Sequence, residues 1–564
     1  MQGSRGLVYR LARFAYKLGR PLFPTIIRYR DIYRNNKIRN LYNSRANLFR
    51  DFCYVNKKIV KRPLISVVVP VYNPRTAHLK EMVYSVVNQH YDNWELILVN
   101  ASTLAESRQQ TAECAQIDKR IKVVDIEKNQ GISANTNIAI KHATGDYIAF
   151  GDHDDMLHPC ALHSVVEALQ NANPPEFIYT DEDKISDDSN LFLNPHIKPD
   201  WSVDTIRNVN FVTHLMVIRK DMVDKVGGLR KDHDGSQDYD LVLRVWDEFQ
   251  PKVEHVKRIL YHWRLAPGST ADQVSNKGYI IEAGTSALQE HLRRIKLPAK
   301  ASAIAGKPGY YAVDYNPVDF SVVVGAVAKA RQSATAAWIE RLANIDDSGV
   351  KTEIIVGDWY EKFQEKPAAK IKTIKDSDNY WADALKAASY DVSVCFKSAA
   401  MPRGHAGLAK LAAAANDPQH TALAPMCVNE SNVIIGGGIL SVNGLNKILF
   451  EGYKYGTYTW FLDTDWVRRA NDLTQQVIAS KTSELRKLFS SKNYSQVNSF
   501  GEILPAGERH QANLVVWSHS AFEIMGPLDP DYDLSYQSAE PLRFVPQTNI
   551  HIYDWWRDYE HDQT

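Results

Sequence analysis

The chain sets out one pattern of strands and helices and then begins it again near residue 318. "LISVVVPVYN" is an apolar, β-branched run ending in Pro70 and Asn73, the texture of a strand buried on both faces that enters a loop. "HLKEMVYSVVNQ" has helical periodicity, "WELILVNAS" and "IKVVDIE" read as further strands, and "SANTNIAIKHA" leads as a helix into the strand "GDYIAFGDHDD". In the second half "VDFSVVVGA" echoes "PLISVVVPV", "VKTEIIVGD" echoes "NWELILVNA", and "YDVSVCFKSAA" echoes "GDYIAFGDHDD". Further on, "ANLVVWSHSAFEIMGPLDPDYD" pairs with "THLMVIRKDMVDKVGGLRKDHD", and "HIYDWWR" with "ILYHWR". Alternating strands and helices predict an α/β sheet covered on both faces, with ligands bound where strands end in loops. The repeat predicts two such Rossmann-like, mostly parallel units in tandem, residues 63–305 and 316–564, the second carrying an insertion between about residues 440 and 510.

Composition bounds the partners. The 67 basic and 66 acidic residues nearly cancel, so no overall charge draws the chain to a polyanion. The balance conceals a basic first segment: residues 1–62 carry sixteen Lys or Arg against Asp31 and Asp51 alone. Leu7, Leu11, Phe14 and Leu18 recur there at helical spacing, flanked by Arg10, Arg13, Lys17 and Arg20. Such a helix can lie on an anionic bilayer, pack on the body by its leucines, or bind nucleic acid through interleaved Tyr and Arg; the chemistry below favours the membrane surface. The start breaks its apolar content with arginine, unlike a secretory signal, and no apolar run is long enough to span a bilayer. Five cysteines without CxxC spacing suit reduced thiols, and the expected setting is cytoplasmic, on the inner membrane face.

The acids are where chemistry concentrates. Asp152, Asp154 and Asp155 follow a core strand; Asp181, Glu182 and Asp183 stand in "TDEDK", and Asp238 and Asp240 in "GSQDYD". Carboxylates crowded at a strand end repel one another unless a hard divalent cation neutralises them, and Asp-x-Asp offers oxygen ligands that suit Mg²⁺ or Mn²⁺. The triplet alone is common in solvated loops; its place after a buried strand distinguishes it.

Together these stretches resemble the inverting glycosyltransferases of family 2, which have the nucleotide-sugar-binding fold called GT-A. "VVVPVYN" is similar to the family's nucleotide loop, "GDYIAFGDHDD" to its metal-binding strand, and "VGGLRKDHDGSQDYDLVLRV" to the acceptor-side segment that holds the base. "TDEDKI", "KPDWSVD" and "ILYHWRLAPGSTA" resemble a subgroup that builds bacterial surface polysaccharides, including O-antigen. The resemblance implies transfer of a sugar from a nucleotide diphosphate donor to a lipid-linked glycan or nascent polysaccharide. Asp152, Asp154 and Asp155 would hold Mn²⁺ or Mg²⁺, and Asp238 would act as general base. Pro70, Tyr72 and Asn73 would wall the nucleotide. Asn100 stands where relatives have an aspartate for the base, and its amide can pair with a pyrimidine edge. His262 is either a third metal or diphosphate contact or a ring packed beside Trp263, and Arg264 reaches diphosphate oxygens or makes a surface ion pair. Trp201 stacks on a sugar or packs in the core, and Asp181, Glu182 and Asp183 fall on the acceptor or sugar side. Asp240 belongs with them unless a helix turns it away to cap or pair. Gln237 has no proton-transfer role.

The second copy reads differently: Lys397-Ser398-Ala399-Ala400 replaces the acids, "DYDLSYQSAEPL" lacks a Gln-Asp-Tyr-Asp counterpart, and "LDTD" at 462–465 falls after the wrong strand. It is expected to be a degenerate, non-catalytic unit. Two rival readings fit the sequence less well. A nucleotide-sugar-binding scaffold of a polysaccharide assembly complex has no need of Asp152, Asp154 and Asp238, and a nucleotidyltransferase needs a glycine-rich phosphate loop that "VPVYNPRTAH" lacks.

Overall fold

The computed structural model describes residues 58–265, 278–345, 349–363, 370–377, 379–403, 407–442, 445–448, 455, 467–470, 472–474, 476–491, 504 and 514–527. The first sheet is built from β1 (Ile65–Val71), β2 (Trp94–Asn100), β3 (Ile121–Asp125), β4 (Tyr147–Phe150), β5 (Met156–Leu157), β6 (Phe177–Ser186), β7 (Phe192–His196), β8 (Met216–Arg219) and β9 (Val253–Leu265). Its order is β3-β2-β1-β4-β8-β6-β9-β5, with β7 beside β6. β3, β2, β1 and β4 run parallel, β8 is antiparallel to β4 and to β6, and β9 is parallel to β6. The parallel strands are buried on both faces: Val68, Ile97 and Val99 enter one apolar cluster, and Val67, Val69, Leu96 and Leu98 enter another. That explains their unbroken apolar sequence.

A hairpin of β10 (Ala299–Ala303) and β11 (Tyr311–Tyr315) leads to the second sheet. Its strands are β12 (Phe320–Val324), β13 (Thr352–Gly357), β14 (Ile371–Ile374), β15 (Val392–Phe396), β16 (Ser398–Pro402), β17 (Ala422–Val428) and β18 (Ile434–Gly436). β19 (Gly438–Val442), β20 (Leu445–Ile448), β21 (Arg468–Arg469), β22 (Asp472–Leu473), β23 (Val477–Lys481) and β24 (Leu514–Pro527) follow. The order β14-β13-β12-β15-β23-β17-β24-β16 reproduces the first sheet strand for strand, including the antiparallel β15/β23 and parallel β17/β24 pairs. One polar device recurs with it. Ser66 donates to Glu95, whose carboxylate accepts from the Thr144 backbone and pairs with Lys122; Ser321, Glu353, Ser389 and Lys372 repeat the set.

The topology corrects one pairing drawn from the sequence. The "LVVW" of "ANLVVW" opens β24, which occupies the place of β9 rather than β8; the counterpart of β8 is β23, "VIASK". The extra three-stranded sheet of β20, β19 and β22 lies between β18 and β23, which puts the insertion expected between about residues 440 and 510 in that interval. β8 and β24 are alike in apolar texture, because a short strand carries little more than its alternation. The basic segment to residue 57, "LDTD" and "HIYDWWR" lie outside the described residues. Cys114, Cys395 and Cys427 are free, whereas Cys160 is disulfide-bonded, against the expectation of reduced thiols throughout.

Candidate active site

At the C-terminal ends of β1 to β4 the chain turns into loops, and the acids meet there. Asp152 stands two residues beyond Phe150, the last residue of β4. Because β8 runs antiparallel to β4 with Phe150 opposite Met216, the residue two before Met216 is carried to Asp152. That residue is His214, its Nε2 3.8 Å from Asp152 Oδ2. Ligand-type atoms of Asp152, Asp155 and His214 all lie within 4.8 Å of one another. His214 stacks on Tyr261, centroids 4.6 Å apart, and its Nδ1 faces Glu182 Oε2 at 3.4 Å. Burial works against its charged form, but Glu182, Asp152 and Asp155 together hold its pKa up to about 9.

Burial and the neighbouring acids push the carboxyls of Asp152 and Asp155 up, the latter well above the usual range. Asp155 is buried, with Oδ1 accepting from the Arg264 N–H at 2.8 Å and Oδ2 from the Tyr261 hydroxyl at 2.6 Å. Asp152 keeps 42% of its side chain exposed and so is the carboxylate presented to a ligand. Asp154 lies in the same loop but outside the three-residue group. Acids that destabilise one another beside an imidazole nitrogen fit a divalent cation. Asp152 and His214 would bind it most directly, with Asp155 behind them.

Asp238 occupies the first turn of helix Gln237–Phe249. Its Oδ2 accepts from Asn210 Nδ2 at 2.9 Å. Burial raises its pKa, while the Tyr239 backbone, His214 and Asn210 act against the rise. Its charge is also among those that raise Asp152. In the loop after β1, Asn73 adopts φ +44°, and its Oδ1 accepts from the backbones of Thr103 and Leu104, which pins that loop to the one after β2. Tyr72 stands 45% exposed beside it, and Pro70 is half-buried.

Several residues expected at the site are elsewhere. His262 is not a metal ligand: β9 alternates its side chains, Tyr261 and Trp263 turn to His214, and His262 turns away to bond Asp183 and pack on Phe192. Asp183 is consumed in that pair, and Asp181 accepts from the Lys198 backbone and His255 Nε2, so neither reaches a sugar. Glu182 faces the site but is taken by buried Lys198, Thr213 and the His214 backbone; it holds His214 rather than an acceptor. Arg264 is fully buried. Its guanidinium donates to the carbonyls of Asp154 and Asp187, to Ser189 Oγ and to Glu81, which leaves nothing for diphosphate. Trp201 packs among Phe177, Phe211 and Trp246 in the core. Asn100 is buried, its amide donating to Asp125 Oδ1 and the Arg108 carbonyl, and so does not face a nucleobase. Asp240 is buried against Arg230 and Arg244, the helix having turned it away from Asp238. His214, the residue the sequence reading overlooked, was signalled only by its place before an apolar strand.

Comparison with known proteins bears on these observations. The family model described as Glycosyl transferase family 2 matches residues 66–227, which include Asp152 and His214 and end before Asp238. An uncharacterized glycosyltransferase of Methanocaldococcus jannaschii is 30% identical over 211 residues, 36% of this chain and 71% of that protein. The chain belongs to glycosyltransferase family 2. Other relatives of this family 2 chain include an uncharacterized protein of Sinorhizobium fredii, 43% identical over 240 residues, and the O-antigen biosynthesis protein RfbC of Myxococcus xanthus, 35% identical over 259. These matches take in 42% and 46% of this chain, but only 26% and 20% of the relatives' own length. Among solved structures, a mannosyltransferase of Pyrobaculum calidifontis in complex with GDP-Man and Mn²⁺ is similar at a TM-score of 0.33 and 15% identity, over 44% of this chain and 71% of that one.

Proposed function

We propose that the first unit is a metal-dependent, inverting glycosyltransferase that moves a sugar from a nucleotide diphosphate donor to a hydroxyl of a lipid-linked glycan or nascent bacterial polysaccharide. The observation that carries the reading is that Asp152, Asp155 and His214 bring ligand-type atoms within 4.8 Å of one another, with Asp238 near enough for its charge to act on Asp152. A Mn²⁺ or Mg²⁺ ion bound there supplies charge neutralisation for the leaving diphosphate. The chain's own residues do the rest. Asp238 accepts the proton of the acceptor hydroxyl as that oxygen attacks the anomeric carbon in line; the carbon–oxygen bond to diphosphate breaks and the configuration inverts. A carboxyl raised by burial is a stronger base than a free one, and Asn210 orients it. Tyr261 and Glu182 set His214, and Asn73 shapes the nucleotide side.

The second unit is proposed to be non-catalytic. Strand registers put Lys397 at the position of Asp152, and Gln476 at that of His214. Buried tryptophans pack against two of its strand-end glycines: a Cβ on Gly325, the counterpart of Pro70, would lie 2.6 Å from the Trp381 ring, and one on Gly357 would lie 2.6 Å from Trp359. No helix among the described residues is long and apolar enough to cross a membrane. The basic residues 1–62 are proposed to hold the chain on the anionic inner face of the cytoplasmic membrane, where lipid-linked acceptors and other assembly proteins lie. The test is Asp238→Asn. Turnover should be lost while Mn²⁺-dependent thermal stabilisation by the donor remains, and near-native turnover would refute the base assignment.

A further inference from the structure

Helix Val203–Asn208, six residues long, is tied down along its length by groups from outside the first sheet. Buried Arg207 donates from Nε to His291 Nε2 at 3.0 Å and from Nη2 to Gln419 Oε1 at 3.0 Å, with Asp204 and Asp417 each 3.6 Å from Nη1. His420 Nε2 lies 2.8 Å from Asp204 Oδ1. Asn208 is held at both ends, Nδ2 donating to the Tyr311 carbonyl at 2.5 Å and Oδ1 accepting from the Val467 N–H at 3.3 Å. Val209 bridges to Tyr310 of the segment joining the units. The next residue, Asn210, donates to Asp238. The helix bearing Asp238 is tied to the same place, since the Tyr239 hydroxyl donates to the Ile206 carbonyl at 2.9 Å and its ring stacks on Tyr311 at 5.4 Å.

Burying a guanidinium among two acids and two histidines is a poor route to stability, because desolvation offsets most of the attraction. Such a cluster fixes geometry instead. Gln419, His420, Asp417 and Val467 all belong to the second unit, which has Lys397 and Gln476 where the first has Asp152 and His214. We infer that the second unit is a brace for catalysis: through Arg207 and Asn208 it sets Asn210, a positioning residue that orients Asp238 toward the acceptor hydroxyl. The inference rests on the reading of Asp238 as the base.

The experiment uses the full chain with three changes: Asn210→Ala, the interface pair Gln419→Ala/His420→Ala, and all three together. In the absence of ligand, amide hydrogen exchange over 203–214 should quicken about tenfold or more in the interface pair, with β1 and β2 unchanged. With the UDP-, GDP- or dTDP-sugar that the chain turns over, nucleoside diphosphate release should show kcat down about tenfold or more at unchanged donor KM, in Asn210→Ala and in the interface pair alike. The triple variant should fall no further than the worse of the two, because both act through one contact. Multiplying losses, native exchange over 203–214, or native kcat overturns the brace. If the interface pair loses protection in β1 and β2 as well, Gln419→Ala alone carries the same expectations and the same refutations. Native turnover in Asp238→Asn sinks the base reading and the brace with it; lost turnover there beside native kcat in Asn210→Ala sinks the brace alone.

Discussion

Arg264 separates the account from the expectation that sequence alone suggested, since a ligand for diphosphate and a buried strut respond oppositely to mutation. Consider Arg264→Met, which keeps length and apolar bulk but removes the donors. Five acceptors lose a donor: the Asp154, Ser186 and Asp187 carbonyls, Ser189 Oγ and Glu81, although the Ser189 N–H still reaches Ser186, His78 still reaches Asp187 and the Ser189 hydroxyl still reaches Glu81. Leaving a buried acceptor unsatisfied costs about 1–3 kcal/mol, while Ser189 and Glu81 can turn partly to water. Breaking a buried ion pair from one side costs about 3–5 kcal/mol in comparable cases, and Glu81, 38% exposed, brings this one to the low end. About 3–4 kcal/mol is expected in total. In a unit of this size each kcal/mol moves the melting temperature by about 2–4 °C, so the midpoint should fall by about 6–16 °C. Urea unfolding followed by tryptophan fluorescence gives the free energy, and differential scanning calorimetry gives the midpoint. Donor affinity, measured well below the new midpoint, should fall only through displacement of Asp154. A variant within about 0.5 kcal/mol of the native chain, with donor binding lost, would show that Arg264 faces the ligand and that the buried geometry is wrong.

Two further outcomes follow from other parts of the chain. Burial opposes the charged form of His420, but Asp204 and more weakly Asp417 hold its pKa above the usual value. A raised histidine contributes stability that is complete below pH about 6.5 and is lost as pH rises through its folded value. Between pH 6 and pH 9 the native chain should therefore lose more stability than Asp204→Asn in parallel denaturant titrations, and equal slopes would contradict the pairing. Deleting residues 1–50 should weaken sedimentation with anionic vesicles and spare transfer to a soluble acceptor; unchanged sedimentation would remove the proposed membrane role.

The strands, the repeat and the acids after β4 were legible because each rests on a local signal: unbroken β-branched runs, recurring order, carboxylates at a strand end. Asp238 was legible only through family resemblance. What escaped was facing. In β9 the alternation of "YHWR" places Tyr261 with Trp263 and His262 with Arg264, but which pair looks into the cleft depends on the neighbouring strand. The same parity puts Glu182 beside His214, and turns Asp181 and Asp183 toward His255 and His262. His214 escaped for a related reason, since the antiparallel register of β8 against β4 brings together residues 62 positions apart.

The most direct test is anomalous diffraction at the manganese edge from crystals of the full chain grown with Mn²⁺ and its nucleotide sugar. A single strong peak between Asp152 and His214, with diphosphate density beside it and Asp238 across the cleft, is the predicted result. A peak instead at the other cluster of ligand-type groups, His233, Asp240 and Glu290, or one beside Lys397, would contradict the account.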